Sequence, residues 1–208
     1  MAIAAQNNVT GAGTGLTANQ LRHLFTVQGL PAHTEVTRRG VRWKVATATA
    51  FTPEVVQPAT VAKLEIKNQH ASLSLVIDTI WSWQLLGTAV VWAHTPWAQV
   101  GTPVVAADTA LVVYYSNKVA SVASAAGTTL RTAIGQTVVA NGWECFPGST
   151  MNFGLAAATP GGANIGQVDG RLIVPPGLAL HVTVTASVAT ATSMHCGASG
   201  SFALLTNE

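Results

Sequence analysis

Charge is scarce in this sequence. Ten Lys and Arg and eight Asp and Glu make up only 9% of its 208 residues. Soluble surfaces usually carry about 25–35% charged residues. A monomer of this size exposes roughly 9,000 Å². Even with every charge outside, that leaves about one per 500 Å² by the same scaling. Much of the outer face is therefore expected to be covered, most simply by further copies of the same chain. A long apolar run is missing too. No stretch of 18 apolar residues occurs, which excludes a membrane-spanning helix. The first 15 residues hold neither a basic region nor an apolar core, so no secretory signal is read there and folding in a cytoplasm is expected. Cysteine is limited to Cys145 and Cys196. In a reducing compartment these are expected as buried thiols; a disulfide is the alternative, since spacing does not give their separation.

Signatures of chemistry are also missing. Gly11, Gly13 and Gly15 hint at a phosphate loop, but Leu16 stands where a third glycine belongs and no strand precedes it. Gly197 and Ser199 begin a nucleophile-elbow pattern that Ser201 breaks at its last glycine. Adjacent on a strand, His195 and Cys196 would point to opposite faces and could not share a metal. The eight carboxylates are dispersed, and Asp78, within an otherwise uncharged strand, reads as a buried hydrogen-bonding group. Arg38, Arg39, Arg42 and Lys44 cluster, yet no aromatic-rich basic groove accompanies them, so nucleic acid is not the expected partner. The reading is a protein without enzymatic activity, cofactor or metal.

What the chain does contain is alternation. Residues 1–20 are small, polar and Gly-rich, with few side chains to order the backbone. Together with a short docking segment they make an N-terminal arm over 1–40; twenty extended residues reach roughly 65 Å. From residue 41 to 208 the period is two. Trp43 and Val45 share one face of a strand and Arg42 and Lys44 the other. Leu64 and Ile66 alternate with Lys63, Glu65 and Lys67. The longest alternation runs from Leu73 to Leu85 and exceeds an ordinary strand, so a bend or bulge is expected within it. Residues 87–105 read as a long loop with at most one short strand. Asn141-Gly142 is the strongest hairpin signal. Leu178, Leu180, Val182 and Val184 form one more alternating strand. About eight short strands with Gly/Pro turns and no helical period indicate an all-β, antiparallel β-sandwich, a jelly roll, carrying a flexible arm.

The tryptophans are the main interaction signal. Trp81 and Trp83 share a strand face on which a sugar ring could stack. That face continues Leu75 and Ile77, however, and the continuity places both indoles in the core. Trp92 and Trp97 bracket His94 in the expected loop, away from any apolar stripe. Trp92, His94 and Trp97 are therefore the candidate contact residues for a partner or ligand.

Residues 61–77 (VAKLEIKNQHASLSLVI) run strand, Asn-led turn, strand. Residues 171–184 (RLIVPPGLALHVTV) run strand, Pro-Pro-Gly turn, strand. In these two stretches the chain resembles small β-sandwich virion proteins of tailed bacteriophages, the head decoration (cement) and minor structural proteins. The resemblance implies a trimer on a capsid lattice, contacting the major capsid protein or other virion subunits, with an arm reaching its neighbours. It transfers no site residues. The competing expectation is a carbohydrate-binding or host-recognition module using Trp92 and Trp97.

Overall fold

The computed structural model describes residues 41–47, 49–87, 94–104, 113–115, 130–139, 142–151, 162–187 and 192–205. The expected arm over 1–40, Trp92 and Asn141 lie outside them.

Every regular element among the described residues is a strand: β1 (Arg42–Ala46), β2 (Val61–Asn68), β3 (Ser74–Gly87), β4 (His94–Gly101), β5 (Val113–Tyr115), β6 (Leu130–Thr137), β7 (Glu144–Cys145), β8 (Ser149–Met151), β9 (Ala163–Gln167), β10 (Ile173–Val174), β11 (Ala179–Ala186) and β12 (Thr192–Ala203). They form two antiparallel sheets. The first has the order β5-β1-β12-β3-β9-β8, with β10 also on β3; the second has the order β6-β2-β11-β4-β7. The two pack face to face, so the expected β-sandwich is the fold observed.

The alternation builds the core. Trp43 and Val45 of β1, Leu64 and Ile66 of β2, Leu75, Ile77 and Ile80 of β3, and Leu180, Val182 and Val184 of β11 are all fully buried between the sheets. Each such side chain contributes about 1.5–3 kcal/mol on leaving water. One residue ties the two halves of the fold. Buried Asn68, at the end of β2, donates from Nδ2 to the carbonyls of Leu73 (2.8 Å) and Val174 (2.9 Å). Its own carbonyl accepts the Gly177 N–H at 2.9 Å. Gly177 has φ +80°, which the Pro175-Pro176-Gly177 turn requires and glycine alone adopts freely. The stretches 61–77 and 171–184 are therefore spatial neighbours.

Two local expectations are corrected. Residues 94–101 are a full strand inside the second sheet rather than a loop: β4 pairs with β11 on one side and β7 on the other. The prolines that suggested a loop are accommodated, and Pro96 still accepts the Phe146 N–H through its carbonyl at 3.0 Å. Gly142 has φ +86°, as a turn residue would, but the flanking strands do not form a hairpin. β6 and β7 lie at opposite edges of the sheet, so the connection crosses between edges.

Candidate functional site

The three predicted contact residues do not form one site. Trp92 is outside the described residues. His94 and Trp97 both lie on β4, three residues apart, so alternation sends them to opposite faces. His94 points inward and is buried. Its Nδ1 lies 2.8 Å from Ser82 Oγ and its Nε2 lies 3.1 Å from the Gly162 carbonyl. Burial lowers its pKa from 6.5, and the bond to Gly162 only partly offsets this. It is a structural histidine. Half-buried Trp97 points outward and donates its indole N–H to Thr185 Oγ1 at 2.8 Å.

The accessible aromatic site lies elsewhere, where a bulge moves it. On β3, Ile77 pairs with Gly200 and Thr79 with Ser199, which makes Asp78 the inserted residue of a β-bulge. This extra residue reverses the facing of the residues that follow it, up to a second register shift between the Gln84–Met194 and Leu86–Ser193 pairs. Ile80 takes the inward position, and Trp81 and Trp83 turn to the outer face of the first sheet. The expectation that these tryptophans belong to the core is therefore overturned. The bulge is held on both sides. The Asp78 carbonyl accepts N–H groups from Val168 (2.8 Å) and Asp169 (3.0 Å), and its carboxylate lies 3.1 Å from Arg42 Nη1.

A groove of about 450 Å³ opens on this outer face. Its floor is β12, where the outward residues Gly197 and Ser199 are small. Arg42 and Lys44 wall one side; Thr79, Trp81, Trp83 and Ile165 wall the other. Trp81 pairs directly with Gly197, and a Cβ there would come within 2.5 Å of the indole Cε2 and Cζ2. The absent side chain lets the ring lie down across the strand. Lys44 Nζ sits 5.0 Å from the Trp81 ring centroid. Trp83 stacks on His195, with centroids 5.2 Å apart and planes 11° from parallel. Thr79 Oγ1 and Ser199 Oγ share a 2.6 Å hydrogen bond.

A second polar cluster sits on the outer face of the other sheet. Glu65 and His181 are cross-strand partners, essentially fully buried, with Nε2 and Oε2 2.8 Å apart. The Val104 N–H donates to the same carboxylate at 3.0 Å, and Lys67 Nζ lies 3.6 Å from the other oxygen. Burial pushes the Glu65 carboxyl up. The hydrogen bonds from His181 and Val104, with the charges of His181 and Lys67, outweigh it and leave the pKa below 4.5. Sequence reading missed this pair because Glu65 and His181 are 116 residues apart; only the β2–β11 register joins them. Among the described residues no group of three His, Cys, Asp or Glu side chains is placed to hold a metal ion.

No protein-family model matches the chain, and no curated protein matches its sequence. Among solved structures, a chain of the Triatoma virus empty capsid aligns over 80% of this chain and 71% of its own, at 11% identity and a TM-score of 0.17. A superposition that loose assigns neither fold nor function.

Proposed function

We propose that the protein is a structural, non-enzymatic virion subunit built on a jelly roll. The observation that carries this reading is the strand order. With β5, β6, β8 and β10 set aside, the other eight strands switch sheets at every step along the chain except from β4 to β7, which are neighbours in one sheet: β1, β12, β3 and β9 lie in one, β2, β11, β4 and β7 in the other. That pattern corresponds to two interleaved Greek keys, the jelly roll of capsid and lectin domains. The charge count favours the capsid use, because a surface with only 18 charged residues in 208 is suited to burial against neighbours. Exposed Val55, Val56, Val61 and Val139 add apolar contact area on segments joined by the Val138 N–H to Thr60 carbonyl bond. The finer assignment follows the sequence resemblance: a trimeric decoration subunit of a tailed-phage head, folded in the host cytoplasm, with residues 1–40 reaching neighbours on the shell.

Light scattering and electron microscopy of the purified chain test the proposal. A homo-oligomer or ordered array at micromolar concentration is expected. A stable 21.4 kDa monomer that neither self-assembles nor attaches to any particle overturns it.

A further inference from the structure

We propose that the groove over β12 is a binding site for an acidic pyranose, with the sugar ring stacked on Trp81 and its anionic group held by Lys44. Three observations carry this. The first is the platform. Gly197 lets the Trp81 indole lie along the sheet, so that its other face is turned into the groove. A flat apolar ring face bordered by polar groups suits the C–H face of a pyranose. Trp83 extends the platform and is braced from behind by His195.

The second is charge. Two cations, Arg42 and Lys44, line the groove, and Arg42 is engaged by Asp78 at 3.1 Å. Exposed Lys44 makes a cation–π contact with Trp81. Such a contact at an exposed site is weak, so the ammonium is free to move to a carboxylate or sulfate arriving above the ring. A mobile cation beside an aromatic platform fits an anionic sugar better than a neutral one.

The third is the remaining polar lining. Thr79 and Ser199 present hydroxyls, which both donate and accept and so match sugar hydroxyls. Among the described residues no amide or carboxylate side chain lines the groove, so these residues do not supply the acceptor–donor sets that read a nucleobase edge. Its volume of about 450 Å³ lies within the ~300–1,000 Å³ of small-ligand sites.

The test uses the full chain in whatever assembly it forms, with methyl β-D-glucuronide, methyl β-D-glucoside and uridine monophosphate as probes. Saturation-transfer NMR and tryptophan fluorescence are the readouts. The glucuronide is expected to bind at least five-fold more tightly than the glucoside, and Trp81→Ala should abolish binding of both. Lys44→Gln, at an exposed position that leaves the core intact, should bring the glucuronide down to the level of the glucoside. This variant decides the matter if Trp81→Ala does not fold. An unchanged preference in Lys44→Gln, binding of uridine monophosphate as tight as the glucuronide, or no sugar binding at all overturns the proposal. If Trp81→Ala alters the oligomeric state while no sugar binds, a second copy covers the groove and the proposal fails, whereas the virion-subunit reading stands.

Discussion

His181 Nε2 and Glu65 Oε2 meet at 2.8 Å on the outward side of the second sheet, where both side chains are nonetheless buried. Buried polar groups hydrogen-bonded to each other are costly to separate, because removing one leaves the other unsatisfied. Glu65→Gln is expected to destabilise the protein by about 1.5–3 kcal/mol, the range for a hydrogen bond to a charged group, measured by urea denaturation at neutral pH. The two residues should also be non-additive. Adding His181→Ala to Glu65→Gln should cost less than His181→Ala alone, with a coupling of about 0.5–3 kcal/mol. Simple additivity would mean that the pair does not act as a unit.

Acid stability should fall in two windows that open at different pH, near 6.5 for His94 and near 4.5 for Glu65. His94 has its pKa lowered from 6.5 by burial, so the unfolded chain takes up that proton more readily than the folded one. Its contribution is complete above 6.5 and declines as pH falls from there toward the lower folded value. Glu65 is also lowered, from 4.5, so its contribution is complete above 4.5 and is lost as pH falls through the lower folded value. Thermal melts from pH 8 to 3 should show both steps. His94→Gln should remove only the upper step and Glu65→Gln only the lower.

The two thiols should differ in reactivity. Cys196 is in the core, where burial pushes its thiol far up and the positive charge of Lys63 offsets this only slightly. Cys145, half-buried on β7, is raised by burial as well. The thiolate is the reactive form, so iodoacetamide at pH 8 should label Cys145 slowly and Cys196 only when the chain opens. Mass spectrometry of native and denatured samples checks the order. Prompt labelling of native Cys196 would place it outside the core.

The period-two pattern was enough to read the sandwich, because alternation states which side chains leave water whatever the strand order. Trp43, Val45, Leu64, Ile66 and the even-numbered apolar residues of β11 fell where alternation puts them. What alternation does not carry is pairing. Asn141-Gly142 has turn chemistry, but no local signal says that β6 and β7 go to opposite edges. Trp97 and His94 were grouped because they are close in sequence, and the strand between them separates them by a whole sheet. The groove was hidden for a different reason. The length of the Leu73–Leu85 alternation points to a bulge, and β3 has one at Asp78, but length does not say where the extra residue falls, so continuing the Leu75–Ile77 face to Trp81 and Trp83 runs across this break.

That break supplies the sharpest test of the fold. Asp78 acts in two ways, as an extra backbone residue and as the partner of Arg42. Asp78→Ser keeps the residue and removes the carboxylate. It should cost about 1.5–3 kcal/mol, the range for a hydrogen bond to a charged group, with a lowered melting temperature and an unchanged far-ultraviolet spectrum. Deleting Asp78 removes the residue itself. A continuous β3–β12 ladder then runs from the Ile77–Gly200 pair straight to the Thr79–Ser199 pair, so alternation keeps Ile80 inward and Trp81 and Trp83 outward. The deletion should therefore fold, less stably for the lost Arg42 pair and the lost bonds from Val168 and Asp169. Circular dichroism and tryptophan emission check both variants, and a wild-type far-ultraviolet spectrum and emission maximum are expected at a lowered melting temperature. A deletion protein that does not fold, or whose emission shifts to that of buried indoles, would show that Asp78 is not the inserted residue, and the groove would need another origin.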